Sequence, residues 1–152
     1  MGALSRGRRL GVDVGKVRVG VAISDPDGIL ATPLVTVSRD MDAAPGAVPG
    51  DIAELVRLVG EHEAVQIVVG LPVRLNGADG PAAIDIRAYA RRLAEAVGTV
   101  PVALADERMS TVVASRRLAE RGVRGRRQRA VVDQAAAVEI LQSWLDAQRR
   151  QR

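Results

Sequence analysis

Residues 10–24 read LGVDVGKVRVGVAIS, and the pattern of this segment sets the start of the fold. Its first part is an apolar run interrupted by one acid, Asp13, which is typical of a strand in the centre of a sheet. From Val17 onward, apolar residues alternate with Arg18, Gly20 and small side chains, which predicts a half-buried strand. The segment therefore predicts two antiparallel strands, with a carboxylate at the end of the buried one.

The remaining sequence alternates between strand and helix patterns. A third strand is predicted over Leu30–Val37, where Pro33 lacks a backbone donor and so favours the sheet edge or the strand entrance. A helix of about three turns follows, capped by Asp51. The later elements are predicted as a strand, a helix, a strand and two helices, over residues 65–69, 82–97, 100–105, 111–121 and 131–148. This order predicts an α/β fold with a mixed sheet, antiparallel at its start and parallel afterwards, flanked by helices.

Length and composition limit the chemistry. A chain of 152 residues with a net charge of +4 is expected to form one domain, which we place at residues 9–148. A flexible basic tail is expected at 1–8 and a short basic tail at 149–152. The absence of cysteine excludes a disulfide scaffold, a Cys-ligated zinc site and a thiol nucleophile. No apolar run is long enough to cross a bilayer and no secretion signal is evident, so we expect a cytoplasmic protein without a membrane partner.

Acids rather than histidine are the candidate catalytic groups. The only histidine, His62, lies between two glutamates at a predicted helix end, where a solvated side chain is expected. Asp13 ends the first strand, Glu107 follows a later strand and Asp133 begins the last helix, and the ends of such elements can meet in one cleft. Three carboxylates gathered there would hold Mg²⁺ or Mn²⁺. Taken singly, Asp13 is also consistent with a hydrogen-bonded core acid and Asp133 with an ordinary acid near the positive end of a helix. Glu107 is also consistent with an ion pair to Arg108.

Four motifs in order resemble the YqgF (RuvX) family. They are Asp13-x-Gly15-x-x-Arg18-x-Gly20-Val21-Ala22, Val69-Gly70-Leu71-Pro72 with Asn76-x4-Pro81, Asp106-Glu107-Arg108-x-Ser110-Thr111, and Val132-Asp133-x-x-Ala136-Ala137-x3-Leu141. The match extends over about residues 9–146, nearly the whole chain, and four motifs in order are far more specific than one. Two positions depart from the family pattern: Val113 stands where Glu is usual, and Gln134 follows the last acid where Ser is usual.

The resemblance implies an RNase H-like fold and a nuclease activity. The family is described as a Holliday junction resolvase or, in bacteria, as a nuclease that matures the 5′ end of pre-16S ribosomal RNA. The resemblance also implies that Asp13, Glu107 and Asp133 are the three acidic residues of the site. The expected mechanism is phosphodiester hydrolysis by one or two Mg²⁺ or Mn²⁺ ions held by these acids. The expected partner is nucleic acid, as precursor rRNA in ribosomal precursor particles or as branched DNA.

Basic residues are the candidate contacts to the phosphate backbone. Gly15 would let the backbone approach the scissile phosphate, while Lys16, the only lysine, and Arg18 would contact neighbouring phosphates. Arg18 is equally consistent with a solvated strand residue. Tyr89 and Trp144 fall on predicted helices and are expected in the core, so recognition by charge and shape is favoured over base stacking. The other basic candidates, five of which fall within residues 121–129 with no acid among them, are Arg108, Arg116, Arg117, Arg121, Arg124, Arg126, Arg127 and Arg129.

Two other functions stay open at this point. Asp13-x-Gly15 after a first strand also resembles the phosphate-binding hairpin of actin-like nucleotide-binding proteins, although those proteins use two such domains. A noncatalytic nucleic-acid-binding module has the same fold, because fold alone does not determine function. RNA and DNA substrates, endo- and exonucleolytic action, monomer and homodimer, and a role for Asp106 in the site are all open alternatives.

Overall fold

The computed structural model describes residues 5–72, 79–107 and 126–151, which form one five-stranded sheet and three helices. The strands are β1 (Arg9–Val14), β2 (Arg18–Ser24), β3 (Ala31–Ser38), β4 (Gln66–Leu71) and β5 (Val102–Asp106). The helices are α1 (Gly50–His62), α2 (Pro81–Val97) and α3 (Arg126–Arg150). Among these described helices, none is both long enough and apolar enough to span a membrane.

The sheet has the order β3-β2-β1-β4-β5, which puts the apolar strand β1 at its centre. β1 pairs antiparallel with β2 and parallel with β4, and β4 pairs parallel with β5. The predicted mixed sheet is therefore confirmed. Pro33 lies in β3, which is an edge strand as the missing backbone donor predicts.

Alternate residues of β1 face opposite layers of helices. Leu10 and Val12 are fully buried in a cluster that includes residues of α1 and α2. Gly11 lies against α3, since a Cβ placed on it would come within 2.6 Å of the Cβ of Leu141. Because side chains alternate along a strand, Asp13 shares the face of Gly11. The central strand therefore carries its acid on the side covered by α3.

Helix α3 begins at Arg126 rather than at the predicted Val131. The Arg- and Gly-rich run predicts a loop up to Arg129, but Arg, Gln and Ala are good helix formers and extend the helix toward the N-terminus. Arg126, Arg127 and Arg129 consequently belong to the helix. Asp133 lies in its interior, so the interpretation of Asp133 as an acid of the first helical turn is wrong.

The two predicted tails are in part held to the domain. The Gly7 N–H donates to the Pro26 carbonyl at 2.8 Å. At the other end, α3 continues to Arg150, and the Arg149 guanidinium donates to the Gly28 carbonyl at 2.8 Å. Gly7 near one end of the chain and Arg149 near the other thus both contact the loop between β2 and β3.

Two helical residues are placed differently from the prediction. Pro49 rather than Asp51 is the N-cap of α1, and Asp51 is buried and accepts a hydrogen bond from the Tyr89 hydroxyl. Helical spacing also predicts Ile84 on the apolar face of α2, whereas Ile84 is 61% exposed and Ile86 is buried instead. In both cases tertiary contacts, which a local pattern does not contain, decide which side of the helix is buried.

Candidate active site

Asp13 is the acid at the centre of the sheet. It pairs with Gly20 of β2 and is only 4% exposed. Moving a carboxylate from water into such surroundings costs several kcal/mol unless charges or hydrogen bonds compensate. A carboxylate buried in the central strand is therefore a candidate functional residue.

Glu107 reaches the same end of the sheet from β5. It follows β5 directly and is 4% exposed. Its Oε1 atom lies over β4, since a Cβ placed on Gly70 would be 3.0 Å from that oxygen. Val12 pairs with Val69, so the next residues, Asp13 and Gly70, lie side by side. A glycine without a side chain thus stands between Asp13 and Glu107 on the α3 face.

Asp133 approaches from α3, on the other side of Asp13. A Cβ placed on Gly20 would be 2.1 Å from the Asp133 carbonyl oxygen and 3.1 Å from its Cβ, so only glycine lets the helix pack this close to β2. The Asp133 carboxylate accepts a hydrogen bond of 2.6 Å from Nε of Arg18, and the two side chains form an ion pair. Asp133 therefore lies at the edge of the site with its charge balanced by Arg18.

The three predicted acids share one face and one end of the sheet, but they do not form a ready-made site with three ligands. Within residues 5–72, 79–107 and 126–151, no three acidic or histidine side chains are close enough together to hold a metal ion. Asp13 and Glu107 are buried on either side of Gly70, whereas Asp133 is engaged by Arg18. The best-formed part of the site is the pair of buried acids.

The donor chemistry of this pair suits a hard divalent cation. Carboxylate oxygens are the ligands that Mg²⁺ and Mn²⁺ prefer. Glycine at position 70 lets the Glu107 carboxylate lie over β4 beside Asp13, a place that a Cβ would block. The donor types thus suit a divalent cation, which Asp13 and Glu107 would hold, and Asp133 would be a further ligand only without its ion pair to Arg18.

A cavity of about 250 Å³ opens beside Glu107, between β5 and α3. Ile140 and Trp144 give it an apolar wall, while Asp106 and Arg150 contribute charged groups. Trp144 is partly buried and also packs against the apolar cluster under α3, so it lies at the border of the core in which it was predicted. The cavity provides room next to Glu107 for part of a bound ligand.

The basic residues predicted to bind phosphate differ in their surroundings. Lys16 is exposed in the turn between β1 and β2, and Arg129 is exposed on α3. Arg18 is engaged by Asp133 instead of being a solvated strand residue. For Arg126 and Arg127 only the helical backbone is described. The candidates that lie outside the described residues are Arg108, Arg116, Arg117, Arg121 and Arg124.

A buried polar network behind the site was not predicted. Tyr89 is buried, as expected of a core residue, and its hydroxyl donates to Asp51 at 2.7 Å. Burial, reinforced by this hydrogen bond, raises the pKa of Tyr89 far above its ordinary value. The Arg39 guanidinium lies 5.2 Å from the centre of the Tyr89 ring and donates to the Gly15 carbonyl at 3.1 Å. These partners are distant in sequence, and no local pattern signals them.

Comparison with known proteins identifies relatives along almost the entire chain. Residues 7–147 match the family model described as RuvX, Holliday junction resolvase. A Rhodococcus erythropolis protein is 55% identical over 145 residues, covering 95% of this chain and 81% of the relative. A Nocardia farcinica protein is 56% identical over 141 residues, covering 93% of this chain and 78% of the relative. Both relatives carry the name "Putative pre-16S rRNA nuclease".

Solved structures share the fold. RuvC of Thermus thermophilus in complex with a Holliday junction substrate matches with a TM-score of 0.57 at 16% identity, covering 94% of this chain and 96% of RuvC. A second T. thermophilus RuvC structure matches with a TM-score of 0.50 at 15% identity, covering 95% of this chain and 97% of RuvC. At such low identity the likeness concerns the fold alone. Since RuvC has an RNase H-like fold, the fold implied by the sequence motifs is confirmed.

The matched range contains all four motifs, and with them Asp13, Glu107 and Asp133. The family model covers most of the chain, and relatives above 50% identity cover nearly all of it. The resemblance noted in the sequence is therefore confirmed: the chain belongs to the RuvX (YqgF) family of nucleases.

Proposed function

We propose that this protein is a divalent-metal-dependent nuclease that matures the 5′ end of pre-16S rRNA. The observation that carries the proposal is the pair of buried acids, Asp13 and Glu107, on either side of Gly70 at the centre of the sheet. The name shared by relatives of 55% and 56% identity supports the choice of substrate. Precursor rRNA within ribosomal precursor particles is the form in which we expect the substrate to be bound.

Metal dependence follows from the chemistry of the acids. Nucleases of the RuvX and RuvC kind generally depend on a divalent metal. In this chain Asp13 and Glu107 would hold Mg²⁺ or Mn²⁺, and Asp133 would join them when Arg18 releases it. A divalent ion bound there supplies an activated water and stabilises the charge that develops at the phosphate and the leaving oxygen.

The residues around the acids orient the substrate. Gly15 and Lys16 form the turn that follows β1, and the exposed Lys16 ammonium binds a phosphate next to the one that is cleaved. Arg18 would be available to a phosphate if Asp133 held a metal ion in place of the guanidinium. Arg129 on α3 adds a contact to the nucleic-acid backbone, and the basic residues predicted at 108–127 extend this contact.

Resolution of Holliday junctions is the second candidate function, because the family description names it. Cutting two strands symmetrically requires two active sites, so this function predicts a homodimer. A monomer in solution favours the RNA substrate instead.

The test is a cleavage assay with the purified chain on a precursor RNA that carries the 5′ leader of 16S rRNA and on a four-way DNA junction. Each substrate is incubated with Mg²⁺, with Mn²⁺ or with a chelator. We expect metal-dependent cleavage of the RNA at the mature 5′ end. Asp13→Asn and Glu107→Gln are each expected to lower the rate by roughly two orders of magnitude or more.

The control variant is Asp42→Asn, which neutralises an exposed acid outside the site and should leave the rate unchanged. Cleavage that persists in the chelator or in Asp13→Asn would contradict the proposal. Cleavage of the junction in preference to the RNA, by a dimeric protein, would favour the second candidate.

A further inference from the structure

Arg39, which follows β3, makes two hydrogen bonds to the turn between β1 and β2. The Arg39 backbone N–H donates to the Val17 carbonyl at 2.9 Å, and its guanidinium donates to the Gly15 carbonyl at 3.1 Å. The Gly15 N–H donates to the Arg18 carbonyl at 2.8 Å, which closes the turn. Two carbonyl groups of this turn are therefore oriented by the same arginine.

Arg39 is itself held in place by α2. Its guanidinium lies 5.2 Å from the centre of the Tyr89 ring and 3.3 Å from the Asp85 carboxylate, and its side chain is 12% exposed. Tyr89 is in turn buried and fixed by its hydrogen bond to Asp51. Because Tyr89 and Asp85 both belong to α2, the Gly15 carbonyl points toward the α2 side of the sheet.

The peptide group between Gly15 and Lys16, whose carbonyl accepts the hydrogen bond from Arg39, has a donor on its other side, the Lys16 N–H. In a trans peptide the C=O and the N–H of the next residue point in opposite directions, and the Gly15–Lys16 peptide is trans. The Lys16 N–H therefore points to the side of the peptide opposite the Arg39 guanidinium, away from α2. In the part of the chain that the structure describes, no hydrogen bond uses the Lys16 N–H as its donor.

We propose that Arg39 is a positioning residue, which orients the Gly15–Lys16 peptide so that the Lys16 backbone N–H binds a phosphate of the nucleic-acid substrate beside the acids. The inference rests on the proposed nuclease function and adds the donor that holds the phosphate. Gly15 is required in this turn because a Cβ placed on it would be 2.7 Å from the Arg18 carbonyl oxygen. A donor fixed before the substrate arrives does not have to reorganise when the phosphate binds.

The test observes the Lys16 backbone amide by NMR in the full chain carrying Glu107→Gln, included to prevent cleavage. Addition of a short RNA that spans the mature 5′ end of 16S rRNA is expected to move the Lys16 amide proton downfield. With Arg39→Ala added, this shift should be lost and the RNA affinity should fall about tenfold, as expected for one hydrogen bond to a charged group. Arg39→Lys, whose ammonium can still donate to the Gly15 carbonyl, should restore part of the Lys16 shift and part of the RNA affinity.

The matched control is Arg57→Ala, which removes one positive charge from exposed ion pairs on α1 and should leave the Lys16 shift intact. A Lys16 amide that does not respond to the RNA in the Glu107→Gln protein overturns the proposal, whether or not Arg39→Ala folds. A folded Arg39→Ala protein with the same Lys16 shift as its parent overturns it too. If the wild type cleaves the RNA but the amide stays silent, only this inference fails. Absence of both cleavage and binding overturns the proposed function, and this inference with it.

Discussion

The guanidinium of Arg18 and the carboxylate of Asp133 form an ion pair of 2.6 Å between residues 115 positions apart in the sequence. The pair joins β2 to α3 at the edge of the candidate active site. A carboxylate engaged by a guanidinium is less available to a metal ion, so Arg18 would compete with the proposed cation for Asp133.

Removal of Arg18 should therefore strengthen metal binding. We expect Arg18→Ala to bind Mn²⁺ several-fold more tightly, because loss of a nearby positive charge at a partly exposed site is worth on the order of 1 kcal/mol. Isothermal titration calorimetry measures the change. Arg6→Ala, which removes an exposed pair with Asp27, should leave the Mn²⁺ affinity as it is. Unchanged or weaker Mn²⁺ binding in Arg18→Ala would show that Asp133 is not a metal ligand.

The absence of a side chain at Gly70 is predicted to be essential for both stability and activity. In Gly70→Ala the new Cβ would stand 2.5 Å from Cδ1 of Ile140 and 3.0 Å from Oε1 of Glu107. Overpacking of this kind typically costs about 1–3 kcal/mol of unfolding free energy, and displacement of Glu107 should lower cleavage by more than tenfold. Urea denaturation and the cleavage assay measure the two effects.

Gly60→Ala is the matched control for that substitution. Gly60 lies inside α1, and a Cβ placed on it meets no atom within 4 Å. Alanine there should raise the unfolding free energy by about 0.5–1 kcal/mol, because it has the higher helix propensity. Equal stability and activity of Gly70→Ala and Gly60→Ala would contradict the close packing at β4.

A stability decrease at alkaline pH is expected from Tyr89. Its pKa is raised in the folded protein, chiefly by burial, so above the ordinary value of about 10 the unfolded chain loses a proton that the folded chain keeps. The contribution of Tyr89 is thus complete below that pH and is lost as the pH rises. Since Tyr89 is the only tyrosine, tyrosinate absorbance reports its ionisation directly. Tyrosinate should form only as the protein unfolds.

The variant Tyr89→Phe should be less stable at neutral pH by about 1–3 kcal/mol, because the buried Asp51 carboxylate loses a donor. It should also show a smaller loss of stability between neutral and alkaline pH than the wild type. Ionisation of Tyr89 near pH 10 in the folded protein would contradict the buried hydrogen bond.

Elements with a strong local period were predictable from the sequence. The alternation from Val17 to Ser24 and the apolar run around Asp13 predict β2 and β1 because both signals lie within a few residues. The start of α3 was missed because a dense run of arginines gives no apolar period, although arginine favours helix.

The candidate site residues that stand in family motifs were predictable from the sequence. Asp13, Glu107 and Asp133 each stand in a family motif, and the parallel strands β1 and β5, on either side of β4, place the first two at one end of the sheet. The Arg18–Asp133 pair and the Arg39–Gly15 hydrogen bond depend on the packing of α3 and α2 against the sheet. Such contacts join distant parts of the chain, so no window of sequence predicts them.

Binding to nucleic acid is expected to weaken steeply with salt. The affinity for the precursor RNA should fall linearly on logarithmic axes as salt rises, because phosphate contacts release counterions. Lys16→Ala should reduce the magnitude of this slope by about 1. Fluorescence anisotropy across a series of salt concentrations measures the slope, with Glu61→Gln on the exposed side of α1 as a variant that should not alter it. A slope that is the same in Lys16→Ala and the wild type would exclude a phosphate contact by that side chain.

Titration of Mn²⁺, observed by electron paramagnetic resonance, tests most directly whether Asp13 and Glu107 share a cation. The wild type should convert free Mn²⁺ to a bound form, and Asp13→Asn and Glu107→Gln should each weaken this binding by at least tenfold, about 1.4 kcal/mol or more. If Asp13→Asn bound Mn²⁺ with the affinity of the wild type, Asp13 would not be a ligand of a cation shared with Glu107.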